Sequence, residues 1–341
     1  MTTRSATTPV TLRDVAAAAR VSVSTASRAL TDGRYVSAEK LERIREAAES
    51  IGYQPHEGAR SLRSSRTMTI GVVSGDLHSP AMLDLIGGMT QAAEERGYSV
   101  FIGNAGGKAE SYRTLVRRLF ERRADALLLM NPDGVAKEVA AFAASGRPVL
   151  TLLSTGPDCS HLPFAYSDES EAMRDAIRRL VEFGHRSLAY VMLAGEVQST
   201  RPRFTAELTA EFGLRFSKRT LPAAFEAADL VAFLREVRAQ ANATAVLLAH
   251  AALGALLSAA RQLKLEIPAD LSVFTFSDST FARGLTMPEI ATIHTDTHRM
   301  GHEAIEMLLR ALGGEDLPHL TDVALSSWVE AGSVGPAPTT R

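Results

Sequence analysis

From residue 68 onward, short apolar runs alternate with amphipathic stretches of helical period, and this alternation restricts the fold more than any other feature. Residues 68–73, 98–103, 126–130 and 148–153 read as strands, with helices at 81–96, 110–122 and 135–145 between them. Short runs that are apolar throughout fit strands buried on both faces, as in a parallel sheet covered by helices. After residues 157–163 the alternation restarts. Helix 169–183 leads to strand 187–193, helices 200–212 and 226–240, strand 245–249, helix 251–263 and strand 271–276. A strand at 291–295, a helix at 298–312 and a strand at 322–329 close the chain. Two similar α/β halves with a cleft between them are implied.

The first 66 residues have a different texture. Thr11 can cap a helix, with Asp14 three residues on as its acidic partner. Leu12, Val15, Ala16 and Ala19 follow at helical spacing. Ser22 can cap a second short helix, 23–30, and Asp32-Gly33 is a turn. Ser37 caps a third helix that runs to Ile51, with Leu41, Ile44, Ala47, Ala48 and Ile51 inward; Gly52 supplies a left-handed stop. Pro55 opens a short helix at 55–62, and residues 64–67 form a polar linker. Residues 1–66 carry 11 Lys and Arg against 7 Asp and Glu, while the remainder carries 26 against 32. A basic head on an acidic body suits a polyanionic partner for the head.

The run from Val10 to Leu30 resembles the helix-turn-helix of the lactose/galactose repressor (LacI/GalR) family. Thr11, Leu12, Asp14, Val15, Ala16, Val21, Ser22, Ser24, Thr25, Ser27, Arg28 and Leu30 match in register. The resemblance implies a DNA-binding transcription regulator, a repressor, that acts as a homodimer on a pseudo-palindromic double-stranded operator. Small residues in the first helix let the second cross it closely, and the second enters the major groove. Val23, Ser24 and Arg28 are then the base-reading positions, Arg28 with its fork suited to guanine. Thr11, Ser22 and Ser27 offer hydroxyls to phosphates. Tyr35 and Tyr53 fall at backbone-contacting or packing positions. The stretch from Gly52 to Arg63 resembles the family's hinge, where Leu62 would wedge into the minor groove with Arg60, Arg63 and Arg66 around it, and His56 of the same stretch is a further DNA-binding candidate.

Residues 67–333 resemble the family's effector-binding domain, which shares the fold of periplasmic sugar-binding proteins. The fold class is therefore an all-α helix-turn-helix head with a hinge helix, joined to an α/β periplasmic-binding-protein-like sensor of two parallel-sheet subdomains. The expected boundaries are a leader at 1–9, the head at 10–54, a hinge and linker at 55–66, the sensor at 67–333 and a flexible tail at 334–341. Within the sensor, the first half takes 67–164 and 296–320, and the second 165–292 and 321–333. By analogy the effector site takes Ser74, Asp76, Met82, Asp168, Arg203, His250, Ser277 and Asp278. His250 and Ser277 replace usual hydroxyl acceptors of sugar-binding members. With Arg203 retained, the site suits a sugar acid or another anionic metabolite. A sensor that responds to no ligand is the alternative.

Other chemistry is suggested and rejected. The run from Gly103 to Ala109 looks like a phosphate loop, but it is one residue short and has Ala109 where a magnesium-binding hydroxyl is needed. His294, His298 and His302 recur every four residues, yet no carboxylate or cysteine completes a zinc set, so no metal and no cofactor are expected. Cys159 is the only cysteine, which excludes an intrachain disulfide. No nucleophile triad can be argued, so the chain reads as a non-enzyme. A Gly-x-Gly-x-x-Gly turn is missing from the first strand end, which weakens a dehydrogenase reading. The N-terminus lacks the apolar stretch of a signal peptide, which argues against a periplasmic solute receptor. The expected location is the cytoplasm, associated with the nucleoid and with no membrane partner.

Overall fold

The computed structural model describes residues 10–31, 36–53, 66–75, 77, 81–154, 159–193, 201–222, 225–237, 243–276 and 285–338. Contacts divide the chain into two compact units, Met1–Met68 and Thr69–Arg341.

The first unit holds three helices, α1 (Leu12–Ala18), α2 (Val23–Thr31) and α3 (Ala38–Ser50). Their shared core is largely alanine: Val15, Ala16, Ala19, Ala26, Ala29, Ile44 and Ala48. Side chains this small bring helix backbones close, so the helix ends must be fixed by polar contacts. At the start of α1, the amide and hydroxyl of Thr11 donate to the Asp14 carboxylate at 2.8 and 2.7 Å. These two bonds, the hydroxyl's foremost, hold the Asp14 carboxyl below its ordinary pKa. Ser22 Oγ accepts from the Thr25 amide at 3.1 Å and starts α2. Arg43 Nε donates to the Ala19 carbonyl at 3.1 Å, which ties α3 to the end of α1. Gly52 follows α3 with φ +67°, the left-handed conformation expected of it.

The second unit is an α/β assembly. Its first half runs β1 (Thr69–Ser74), α4 (Ala81–Glu95), β2 (Ser99–Asn104), α5 (Ala109–Glu121), β3 (Ala126–Met130), α6 (Ala136–Ala143), β4 (Val149–Leu152) and β5 (Phe164–Asp168). Its second half runs α7 (Ser170–Glu182), β6 (Ser187–Leu193), α8 (Arg201–Glu211), β7 (Arg215–Leu221), α9 (Ala227–Glu236), β8 (Ala245–Ala249), a 3-10 turn (His250–Ala252), α10 (Leu253–Gln262), β9 (Ser272–Phe276) and β10 (Ala291–Thr295). The chain then returns through α11 (Thr297–Leu312) and β11 (Leu320–Val329).

The strands lie in the order β2-β1-β3-β4-β5-β11-β10-β9-β8-β6-β7. Every described pairing is parallel except β10 with β11. This register fixes the geometry of the junction between the halves. Asp168, the last residue of β5, pairs with Leu325; Thr295, the last residue of β10, pairs with Ser326, the next residue of β11. The C-terminal ends of both sets of parallel strands therefore face the junction.

Three expectations are corrected. β5 and β7 are strands that the sequence pattern did not reveal. β5 pairs with β4 in the first half, and β11 stays in that sheet through Leu325, so the division between halves runs at Asp168 and Leu325 and not at 164 and 320. The segment 334–338, expected to be a flexible tail, is docked: Gly335 N donates to Ser272 Oγ at 3.1 Å and Ala337 N to the Phe183 carbonyl at 2.7 Å.

Each half has apolar cores of its own on either face of its sheet. In the first half, α4 and α11 meet backbone to backbone. A Cβ on Gly88 would lie 1.9 Å from the His298 carbonyl oxygen, and one on Gly301 2.1 Å from that of Leu85. The short hinge helix expected at 55–62 lies outside the described residues.

Candidate functional site

In the head, helix α2 presents Val23, Ser24 and Arg28 outward. Val23 is 44% exposed and available for an apolar contact. Ser24 and Arg28 are four residues apart and share a face, and the Arg28 Nε donates to the Ser24 carbonyl at 3.3 Å. At the helix start, Ser22 Oγ lies 2.9 Å from Ser24 Oγ and 2.8 Å from Thr25 Oγ1. Hydroxyls gathered at a helix N-terminus make a surface suited to phosphate oxygens. Ser27 departs from expectation. It is only 7% exposed, because it falls on the α2 face that packs inward beside Ala26. Thr11 is exposed, but its hydroxyl is engaged by Asp14. Tyr53 packs against the edge of the helical core. Tyr35, His56, Arg60, Leu62 and Arg63 lie outside the described residues.

In the second unit the chain crosses between the halves three times, after Asp168, after Thr295 and within β11. Side chains at the crossings bond to each other. Ser167 Oγ lies 2.7 Å from Ser326 Oγ, and Thr295 Oγ1 lies 2.8 Å from Ser326 Oγ and 3.4 Å from Glu169 Oε1. Glu169 is 6% exposed and takes the Arg201 guanidinium at both oxygens, at 2.5 and 2.6 Å. The same guanidinium lies 4.3 Å from the centroid of the Phe276 ring, at the end of β9.

The expected effector residues are distributed unevenly around this junction. Ser74 is buried at the end of β1, and Asp168 ends β5 with its Oδ1 accepting from the Ser170 amide at 2.9 Å. His250 opens the 3-10 turn after β8. Met82 does not line the junction surface; it packs in the first half's core with Leu85 and Met89. Arg203, expected to be the cleft cation, has a side chain 79% exposed and lies 3.6 Å from the carboxylate of Glu207 one turn on. The arginine drawn into the junction is Arg201. Asp76, Ser277 and Asp278 lie outside the described residues.

Residues 11–56 match the model of bacterial regulatory proteins of the lacI family, and residues 177–334 match a periplasmic binding protein-like domain. The chain belongs to the LacI family. Among its relatives, the HTH-type transcriptional repressor PurR of Pasteurella multocida (strain Pm70) is 27% identical over 310 residues, covering 89% of this chain and 92% of that protein. The lac repressor dimer bound to operator and the anti-inducer ONPF superposes with a TM-score of 0.83 at 23% identity, covering 96% of this chain and 100% of that one. A LacI family regulator from Bifidobacterium animalis subsp. lactis DSM 10140 gives 0.67 at 26% identity, covering 80% and 99%.

As a LacI family member, the chain is a DNA-binding transcription regulator with a helix-turn-helix head and a periplasmic-binding-protein-like body. Glu169 and Arg201 are not among the residues expected from the sequence to form the effector site. The missing signal is spatial: the two are 32 residues apart and meet because β5 ends and α8 begins at the junction. The histidine series is also resolved. His298 lies beside Gly87 and Gly88 of α4, and His302 Nε2 is 3.5 Å from Glu95. Among the described residues there is no group of three or more His, Cys, Asp or Glu placed to hold a metal ion. No helix among them is long and apolar enough to cross a membrane.

Proposed function

We propose that this regulator is a homodimeric repressor of a pseudo-palindromic operator, with each head reading one half-site through Val23, Ser24 and Arg28. The observation that carries this reading is the outward face of α2, where an exposed valine and a forked cation stand beside a hydroxyl-rich helix start. Two-fold protein symmetry calls for a two-fold site with half-sites one helical turn or a multiple of it apart. Selection from a random DNA library tests it. A symmetric site should be enriched, with affinity falling steeply with salt; an asymmetric site, or no enrichment, defeats the proposal. Leu62 is assigned the central wedge by resemblance, and Leu62→Ala should lower operator affinity and DNA bending together. The protein would act on DNA in the cytoplasm, at the nucleoid.

The two outer strands support dimerisation. β7 carries Arg215, Lys218 and Arg219, charges that protect an exposed edge from pairing. β2, at the other end of the sheet, has no charged residue and leaves Phe101 39% exposed. An uncharged apolar edge suits a second copy of this chain, with Leu285 and Met287, 68% and 96% exposed, as further apolar contacts.

The effector is assigned to the junction, where strand C-termini from both halves converge, the usual place for a ligand in parallel α/β sheets. With Arg203 exposed, Arg201 at the junction and His250 after β8 favour an anionic metabolite such as a sugar acid. A ligand-independent body is the second reading. The observation favouring it is that both arginines already have carboxylate partners, Glu169 and Glu207. A thermal-shift series with gluconate, glucuronate and a sugar phosphate separates the two. A stabilisation that is lost in His250→Ala supports the effector, and no shift with any of the three favours the second reading.

A further inference from the structure

We propose that Glu169 and Arg201 are positioning residues that latch the hinge between the halves, through a hydroxyl ladder joining all three chain crossings. Bending one half against the other requires torsions to change at Asp168–Ser170, at Thr295–Asp296 and at Leu325–Ser326. The ladder links these places. Ser167 Oγ, on the first crossing, lies 3.0 Å from the Ala324 carbonyl and 2.7 Å from Ser326 Oγ, both on the third. Ser326 meets Thr295, on the second, and Thr295 returns to Glu169, on the first. The backbone adds one further link, from Asp296 N to the Leu325 carbonyl at 3.2 Å.

The carboxylate sets the direction of the ladder. Ionised Glu169 has no proton to give, so the Thr295 hydroxyl donates to it. The Thr295 oxygen is then free to accept from Ser326, whose own oxygen accepts from Ser167, with the single Ser167 proton shared between Ser326 Oγ and the Ala324 carbonyl. A chain of hydroxyls ending on a charge is polarised along its length, and each bond strengthens the next. Arg201 fixes the terminus. Its two bonds to Glu169 and the Phe276 ring beneath it hold the carboxylate in one rotamer. Hydrogen bonds can be exchanged where packed side chains must be forced apart.

Arg201 and Phe276 stand at the ends of elements facing the junction. A ligand that displaces either loosens Glu169 and with it the three crossings. This signalling role rests on the effector reading above; the latch itself does not.

Hydrogen exchange on the full-length protein, without ligand or DNA, tests the latch separately. Glu169→Gln should speed exchange about tenfold at amides of residues 165–170, 294–297 and 324–327, while α4 and β6 keep their protection. Ser326→Ala should give the same pattern, although it lies on a different crossing, and the double variant should add little beyond either single change. Arg201→Lys, which keeps the charge and loses the fork, should fall between. Unchanged crossings, a uniform loss that includes α4 and β6, or fully additive effects would each overturn the latch. If Glu169→Gln does not fold, Ser326→Ala and Arg201→Lys decide the matter. A chain with no effector still passes or fails this test, so its outcome is independent of the thermal-shift series.

Discussion

His185 Nε2 lies 3.0 Å from the carbonyl oxygen of Gly335, 150 residues further along the chain. The imidazole is fully buried; its Nδ1 lies 2.7 Å from Thr244 Oγ1, and Ser272 Oγ approaches Nε2 at 3.1 Å. One histidine thus joins the start of β6, the start of β8, the start of β9 and the C-terminal segment. Nε2 donates to the carbonyl and Nδ1 accepts from the threonine, which makes the neutral ring the fitting form. His185→Ala would leave buried groups unsatisfied and open a cavity. A loss of about 3 kcal/mol is expected in denaturant unfolding. A change below about 0.5 kcal/mol would show that the segment is held without the ring, by Ser272 and by Ser333, whose hydroxyl donates to the Val273 carbonyl.

The same histidine predicts how stability depends on pH. Burial lowers its pKa from the ordinary 6.5, against a smaller opposing effect of the bond to Gly335. The unfolded chain therefore binds the proton more tightly than the folded one. Its contribution is fully present above pH 6.5 and declines as pH falls through that value toward the lowered folded value. Unfolding of the wild type should become easier between about pH 7 and 5.5, and His185→Gln should flatten that slope. An equal slope in both proteins would assign the dependence to other groups.

Much of the architecture could be read from local signals. Helix starts were legible at Thr11 and Ser22 because a cap and its partner lie within three residues. Apolar strands such as Ala126–Met130 were legible because both faces are buried. β5 and β7 were not. Phe164–Asp168 is half-exposed, and Arg215–Leu221 is an edge strand whose charges protect it, so neither has the apolar run that betrays a central strand. The site was legible only in part. Arg201 and Arg203 are two positions apart, and no local pattern tells which turns toward Glu169. That choice depends on where α8 begins relative to the end of β5, a tertiary fact. The docked tail was hidden for a related reason: its holder, His185, lies far away in sequence.

Gly301 should tolerate no side chain. Its missing Cβ faces the Leu85 carbonyl, and Gly88 faces His298 across the same contact, so α4 and α11 must separate to admit a methyl group. Backbone cannot yield as a flexible side chain does. Gly301→Ala is expected to cost about 3 kcal/mol or more, despite alanine's better helix propensity. A neutral or stabilising change in thermal unfolding would refute the close crossing.

Phe101→Lys tests the proposed edge contact. The substitution gives β2 the kind of charge that β7 already carries, without touching the core, since Phe101 is 39% exposed. Sedimentation should show a shift from dimer toward monomer, while Lys218→Ala on β7 leaves assembly unchanged. If Phe101→Lys remains fully dimeric, the interface lies elsewhere on the chain.

Arg28 and Val23 should fail in different ways. A guanidinium fork on guanine discriminates by about 1–3 kcal/mol, so Arg28→Ala should relax preference at one position in each half-site. If Arg28 instead held a phosphate, the variant would bind all sequences more weakly and lower the salt slope by about one. The present bond to the Ser24 carbonyl is made by Nε, is internal to the helix and does not itself engage the two terminal amino groups. Val23 can offer only an apolar contact, so Val23→Ala should weaken the preference for thymine at a neighbouring position and leave the salt dependence untouched. Measuring both variants against the selected operator and single-base changes of it, at two salt concentrations, separates base reading from backbone contact for each residue. Identical base preferences in both variants and the wild type would remove α2 from sequence recognition altogether.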